Sequence, residues 1–433
     1  MPTVRDEGLL GMRGGGTLFA ISGLLAAAAA ALVSPRPAYA ASCTTPPAET
    51  QPIREVPWPQ LWFASDRLGS ITDGRGVVVA VIDSGVDARH PQLREQVLPG
   101  KDFLDPGPGN DGRLDCVGHG TAVASIIAAA KTEGMGLRGI APGAKILPVR
   151  VSEHQVIDGE ASGRTVDPTQ FASAIRWAVD HGADVINLSV VLYEDVPAVR
   201  DAVGYAIARD VVVVAAVGNL HEQKDPRPYP AAYDSVIGVG AIGQDGFRQQ
   251  YSQVGSYVDI VAPGGGVTVA TPGRGHAVET GTSYAAPFVS ASAALIRRLH
   301  PELNASGVRR RLEATADPSA GGRDSESYGA GVVDPYRAAV DLLGSSVASG
   351  PARLPRRAAD PVAAAARARS ERARERALWF ALVGAAAAAF ATVGSVVLPS
   401  GARRRWRPAT PPPATPHLAG APPARPHAAG QPP

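Results

Sequence analysis

Six short, apolar and largely β-branched runs punctuate the middle of the chain, at residues 77–82, 146–151, 185–188, 211–217, 236–242 and 258–261. Several lack any polar alternation, as strands covered on both faces should. Stretches with helical spacing lie between them, at 121–130, 170–181, 196–209 and 284–299. Strand–helix alternation predicts right-handed crossovers. The expected fold class is therefore α/β, a three-layer α/β/α arrangement with a mainly parallel sheet, over residues 76–344. No internal repeat is visible.

Two further apolar runs flank this region. Residues 17–33 follow a short N-terminus carrying Arg5 and Arg13, and precede Pro35, Pro37 and Ala38-Tyr39-Ala40. That order of charge, apolar stretch and small-x-small site is the pattern of a secretory signal over 1–40; an uncleaved anchor is the competing reading. Residues 378–398 form the second run, and 21 residues at ~1.5 Å each reach ~31 Å, enough for a bilayer core. The expectation is one C-terminal transmembrane helix, against a buried globular helix. Arginines lie on both sides of it, so charge does not orient the span. An export signal does, and leaves the tail in the cytoplasm with the preceding domain outside the cell membrane. Between these landmarks, 41–75 reads as a Pro-rich extension with an amphipathic patch at 58–71. Residues 345–377 read as an Ala/Arg/Pro linker, and 399–433 as a Pro-rich tail.

Composition narrows the function classes. Apolar residues at 45% and charged residues at 19% are globular values. A net charge of +2 with 5% aromatics gives no reason to expect a nucleic-acid surface. The two cysteines, Cys43 and Cys116, lack the neighbouring ligand pairs of a zinc site. In an exported protein they could form one bridge, or stand as two thiols. No acidic loop has a readable calcium-ligand spacing, so no metal and no cofactor is expected.

Four motifs carry chemistry. Residues 77–82 end at Asp83-Ser84-Gly85, which sets a carboxylate at the carboxyl end of a buried strand, where open parallel sheets gather reactive groups. Gly118-His119-Gly120-Thr121 sets a histidine at the start of a helix. Val217-Gly218-Asn219 sets a side-chain amide at a strand end. Gly281-Thr282-Ser283-Tyr284-Ala285-Ala286-Pro287 sets a serine beside the exposed N–H groups of a helix start, a region that favours an anion. Pro287 is expected to be tolerable because it falls within the first turn. Each signal alone has a bland reading as a cap or a turn. Five specified residues in Gly-Thr-Ser-x-Ala-x-Pro, however, arise by chance at roughly 20⁻⁵ per position.

In the chain order Asp, His, Ser, these motifs resemble those of the subtilisin family of serine proteases. The resemblance covers about 76–344, including the close Tyr328-Gly329-Ala330-Gly331-Val332-Val333-Asp334. It implies Ser283 as nucleophile, His119 as general base and then acid, Asp83 as the group that fixes the imidazole, and Asn219 as oxyanion donor with the Ser283 N–H. The substrate-binding strand would hold Ser189, Val190 and Val191. Val191 stands where the family commonly has glycine, which implies a narrower specificity pocket and a preference for small residues before the scissile bond. The segment 153–167 is enlarged, and is expected to limit access by folded substrates.

The whole layout is similar to that of the mycosins, membrane-anchored proteases of type VII secretion systems. That likeness implies a Cys43–Cys116 disulfide tying the extension to the catalytic domain, and components of the secretion complex as partners besides peptide and protein substrates. Residues 41–75 are too short for a prodomain with its own sheet and core, so no cleavable inhibitory domain is expected. The alternatives are a mainly structural role in such a complex and a general secreted protease.

Overall fold

A computed structural model describes residues 48–343, apart from 154, 158, 159, 321 and 324. The expected signal segment, Cys43, the linker, the apolar run 378–398 and the tail lie outside the described residues. Among the described residues no helix is long and apolar enough to cross a membrane.

The central sheet has seven strands: β1 (Val78–Asp83), β2 (Lys101–Asp102), β3 (Lys145–Arg150), β6 (Val185–Leu188), β7 (Val212–Ala216), β8 (Ile237–Ile242) and β9 (Ile260–Pro263). Their order is β2-β3-β1-β6-β7-β8-β9, with every neighbouring pair parallel. β1 explains the absence of alternation in its sequence. Val79 and Val81 enter a core with α3 (His119–Ala128) and α6 (Thr282–Leu299), whereas Ala80 and Ile82 enter a second core with α4 (Pro168–Asp180) and α5 (Pro197–Ala208). Both faces are covered, so each position is apolar.

The chain runs from β1 to β3 on one side and then crosses to β6 on the other. β1 is therefore a topological switch point, where a crevice opens beyond the carboxyl ends of the strands. Three adjacent strands end there, and lead into Asp83, Ser189 and Asn219.

The long elements match the hydrophobic pattern to within two residues or so at their ends. The small ones were not foreseen: the two-residue β2, the hairpin β4 (Gln155–Ile157) and β5 (Glu160–Ser162), the hairpin β10 (Val267–Ala270) and β11 (His276–Glu279), and the helices α7 (Ala305–Thr315) and α8 (Pro335–Val340). Residues 153–167 thus hold a hairpin. Its base is tied down by ion pairs, since Arg150, buried at the end of β3, meets Asp102 at 2.5 Å and also Glu153, while Arg164 bonds Glu153 at 2.6 Å and Asp105 at 2.8 Å.

Two short helices, α1 (Trp58–Trp62) and α2 (Ser65–Gly69), lie in the N-terminal extension. Phe63 and Leu68 are buried in the same core as α3 and α6, with the Phe63 ring 5.7 Å from that of Phe288. The physical unit therefore begins before residue 76. Further upstream the extension is clasped by a histidine pair. The His276 Nδ1 accepts the Ile53 N–H at 2.9 Å, and its Nε2 donates to Gln92 at 2.7 Å. His90 accepts from the Gln92 N–H and donates to the Gly275 carbonyl, both at 3.2 Å. The Thr50 and Gln51 backbones pair with Arg274 and His276 alongside.

Candidate active site

Asp83 is the last residue of β1 rather than one residue beyond it, and His119 is the first residue of α3, two residues earlier than the apolar pattern indicated. What brings them together is a backbone contact at two glycines. A Cβ on Gly120 would lie 2.0 Å from the Gly85 carbonyl oxygen, and one on Gly85 would lie 2.2 Å from that of Leu114. Gly85 also has φ +99°, which suits a residue without a Cβ. The result is a His119 Nδ1–Asp83 Oδ1 hydrogen bond of 2.7 Å. Asp83 is buried, and its Oδ1 also accepts the Ser84 N–H. His119 keeps 27% of its side chain exposed, on a cleft of about 840 Å³.

A carboxylate that the motifs did not flag supports this pair. Asp115 is fully buried and accepts from the Ser84 and Thr121 hydroxyls and from the Val117, Gly118 and Thr121 backbone N–H groups, at 2.6–3.0 Å. It thereby caps the helix start that carries His119 and joins it to the loop after Asp83. Burial draws the His119 pKa down, but the carboxylates of Asp83, Asp115 and Glu279 outweigh it, and the net shift is upward. Burial likewise raises Asp115, against its hydrogen bonds.

Ser283 is the second residue of α6, so its backbone N–H has no intrahelical acceptor. Its hydroxyl borders the same cleft as Asp83 and His119. It donates to the Ser189 carbonyl at 3.2 Å, however, rather than to His119. Pro287 is the sixth residue of α6, beyond the first turn. It is accommodated for another reason. The Ser283 carbonyl, which would have received the missing residue-287 N–H, accepts instead from Ser189 Oγ at 3.0 Å. The Asn187 amide donates in turn to Ser189 Oγ at 3.0 Å.

Asn219 is fixed by a threonine that the motif contained but the sequence did not single out. Its Oδ1 accepts from both the N–H and the hydroxyl of Thr282, each at 2.9 Å, and the Thr282 hydroxyl accepts the Gly218 N–H at 3.2 Å. With Oδ1 committed, Nδ2 remains as a donor at the cleft. Val190 and Val191 also line the cleft, as do Ala48 and Thr50 of the extension. Among the described residues no group of three or more His, Cys, Asp or Glu could hold a metal ion.

A parallel α/β sheet that presents an aspartate-bound histidine, a serine at a helix start and an amide donor on one rim has the groups needed for acyl transfer to serine. The comparisons agree. The subtilase family model of peptidase S8 matches residues 74–331, and the chain belongs to that family of serine proteases. It is 37% identical over 268 residues to subtilisin DY of Bacillus licheniformis, covering 61% of this chain and 92% of the relative. It is 35% identical over 254 residues to the major intracellular serine protease of Bacillus subtilis (strain 168), covering 58% and 75%. Among solved structures it is similar to MycP1 from Mycobacterium smegmatis, at TM-score 0.59, 27% identity, and 72% and 92% coverage. It is also similar to the MycP3 protease from the type VII (ESX-3) secretion system, at TM-score 0.56, 29% identity, and 69% and 97% coverage.

Proposed function

We propose that this chain is a membrane-anchored serine endopeptidase that cleaves exported proteins and acts with a type VII secretion complex. The observation that carries the chemistry is the Asp83–His119 bond facing Ser283 and Asn219 across one cleft. Asp83 accepts a hydrogen bond from the Nδ1–H, which fixes the tautomer whose Nε2 lone pair is free toward the cleft. The Ser283 hydroxyl turns from the Ser189 carbonyl to that lone pair and gives up its proton as Oγ bonds the substrate carbonyl carbon. The resulting oxyanion accepts from Asn219 Nδ2 and the Ser283 N–H, at a helix start that favours negative charge. His119 then protonates the leaving amine as the carbon–nitrogen bond breaks. Water, activated by the same imidazole, releases the acyl group. Val191 at the cleft supports a small residue before the scissile bond.

The secretion setting rests on the likeness to MycP1 and MycP3 together with the apolar runs 17–33 and 378–398. Cys116 is not a free thiol, and Cys43 is the chain's one other cysteine; a bridge between them would hold the extension three residues before His119. A solved relative described as an essential component of the type VII (ESX-1) system supports a second, structural role. The test is to incubate the soluble domain with a peptide library and with exported proteins encoded nearby, beside Ser283→Ala. Cleavage by the parent alone is expected; equal cleavage by both proteins overturns the assignment of Ser283. Secretion that survives Ser283→Ala but fails on deletion of the chain would mark the structural role.

A further inference from the structure

Glu279 ends β11 four residues before Ser283 and lines the cleft together with His119, Ser283 and Tyr284. It is half-buried, and among the described residues its side chain makes no hydrogen bond and no ion pair. None of the residues lining the cleft is Lys or Arg, so the one group there that can carry a positive charge is His119, and only when protonated. Of the other lining carboxylates, Asp83 is committed to His119, and Glu194 belongs to the separate stretch that follows Val191 and Tyr193 in the chain. Burial raises the Glu279 pKa, while attraction to His119 lowers it in part. A desolvated carboxylate with no partner is costly to keep, and a cation entering the cleft would offset that cost.

Its place relative to the scissile bond follows from the other groups. The segment from Ser189 to Val191 flanks the acyl side, Asn219 receives the carbonyl oxygen, and His119 must reach the leaving nitrogen. Glu279 ends the strand that leads into the Ser283 turn and shares the cleft with His119 and Tyr284, whose rings lie 5.4 Å apart, which puts its carboxylate on the His119 side of the site, where the leaving group departs. We propose that Glu279 is a specificity-determining residue that selects a lysine or arginine side chain immediately after the scissile bond. With the small residue expected before that bond, the preferred substrate is a small–basic pair. The inference rests on the proposed roles of His119 and Ser283 for its orientation.

The experiment uses peptides identical except for Arg, Gln or Glu at that position, assayed at pH 8. The parent protein should follow the order Arg, Gln, Glu in kcat/KM, spanning about 10- to 100-fold, and the span should shrink with added salt. Glu279→Gln, an isosteric change on an edge hairpin, should flatten the series, and Glu279→Arg should invert it. A parent span under about twofold, or an unchanged order in Glu279→Gln, overturns the proposal. Should Glu279→Arg fail to fold, Glu279→Gln decides alone. The same peptides are titrated onto the Ser283→Ala protein by fluorescence anisotropy. If no peptide is cleaved, the catalytic roles fall. The Arg-over-Glu order in affinity, and its loss when Glu279→Gln is added, then decides Glu279 separately.

Discussion

Two histidine sites in this molecule put one imidazole chemistry to opposite uses. At the cleft, His119 is partly exposed and faced by three carboxylates, so protonation is favoured and its pKa rises. At the clasp on the extension, His276 is buried against another histidine and neutral amides. Desolvation by burial and the neighbouring His90 push its pKa down to about 4, and burial lowers His90 as well. Asp87 is the one carboxylate whose attraction opposes this at His90, and it is itself paired with Arg89. The cleft leaves bonding capacity open: among the described residues Asp83 Oδ2 has no hydrogen-bond partner, and the Ser283 hydroxyl bonds the Ser189 carbonyl rather than His119. The clasp leaves none, since all four ring nitrogens are engaged. Fully engaged polar groups fix structure, whereas open bonding capacity leaves room for a substrate.

The sharpest way to break this contrast is at the cleft. Ser283→Ala should lower peptidase turnover by about 10⁴-fold or more, a scale known for subtilisin-type triads rather than one derived from this geometry, and leave the circular dichroism spectrum unchanged. Asn219→Ala should cost about 10²–10³ in kcat with little change in KM, again on the scale of a donor in this class. A comparable loss of turnover from His276→Gln would collapse the distinction between the two sites.

At the clasp the expected effect is on stability. The unfolded His276 imidazole binds a proton near 6.5 and the folded one only near 4, so the folded state holds fewer protons in between. Stability must therefore fall as pH drops from about 6.5 to 4, by about 3 kcal/mol. Denaturant midpoints across that range should show the slope, and His276→Gln should flatten it. His119 acts with the opposite sign. Its raised pKa contributes stability that is complete below 6.5 and lost as pH climbs through the folded value. In activity, where the neutral ring is required, the acid limb of kcat/KM should have its midpoint above 6.5. Asp115→Asn should move that midpoint down by a fraction of a unit, the smallest change of the set. An unmoved limb in a folded Asp115→Asn protein would remove Asp115 from the field at His119.

The sheet, its long helices and the four rim residues were legible because their signals are local. Fully apolar strands announce burial on both sides, and Gly118-His119-Gly120 or Gly281-Thr282-Ser283 fix identity over a few positions. What escaped is relational. Asp115 matters through five donors from four residues, and nothing beside it in sequence marks it as buried. His90 and His276 meet across 186 positions. The β10–β11 hairpin is too short for a periodic signal, and α7 carries an arginine run, with Arg311 buried and bonded to the carbonyls of Ala338 and Asp341. The caps of α7 and α8, Asn304 and Asp334, were readable helix-start signals that passed unused.

The seat of Pro287 has a mechanical corollary. Because the ring deletes one rung of α6, the serine-bearing turn is pinned sideways by Ser189 instead of from its own helix. Ser189 also begins the stretch along which a peptide would lie. On the proposed roles, a ligand that tugs on that stretch would also tug on the Ser283 hydroxyl, so docking and alignment would share a single hinge pin.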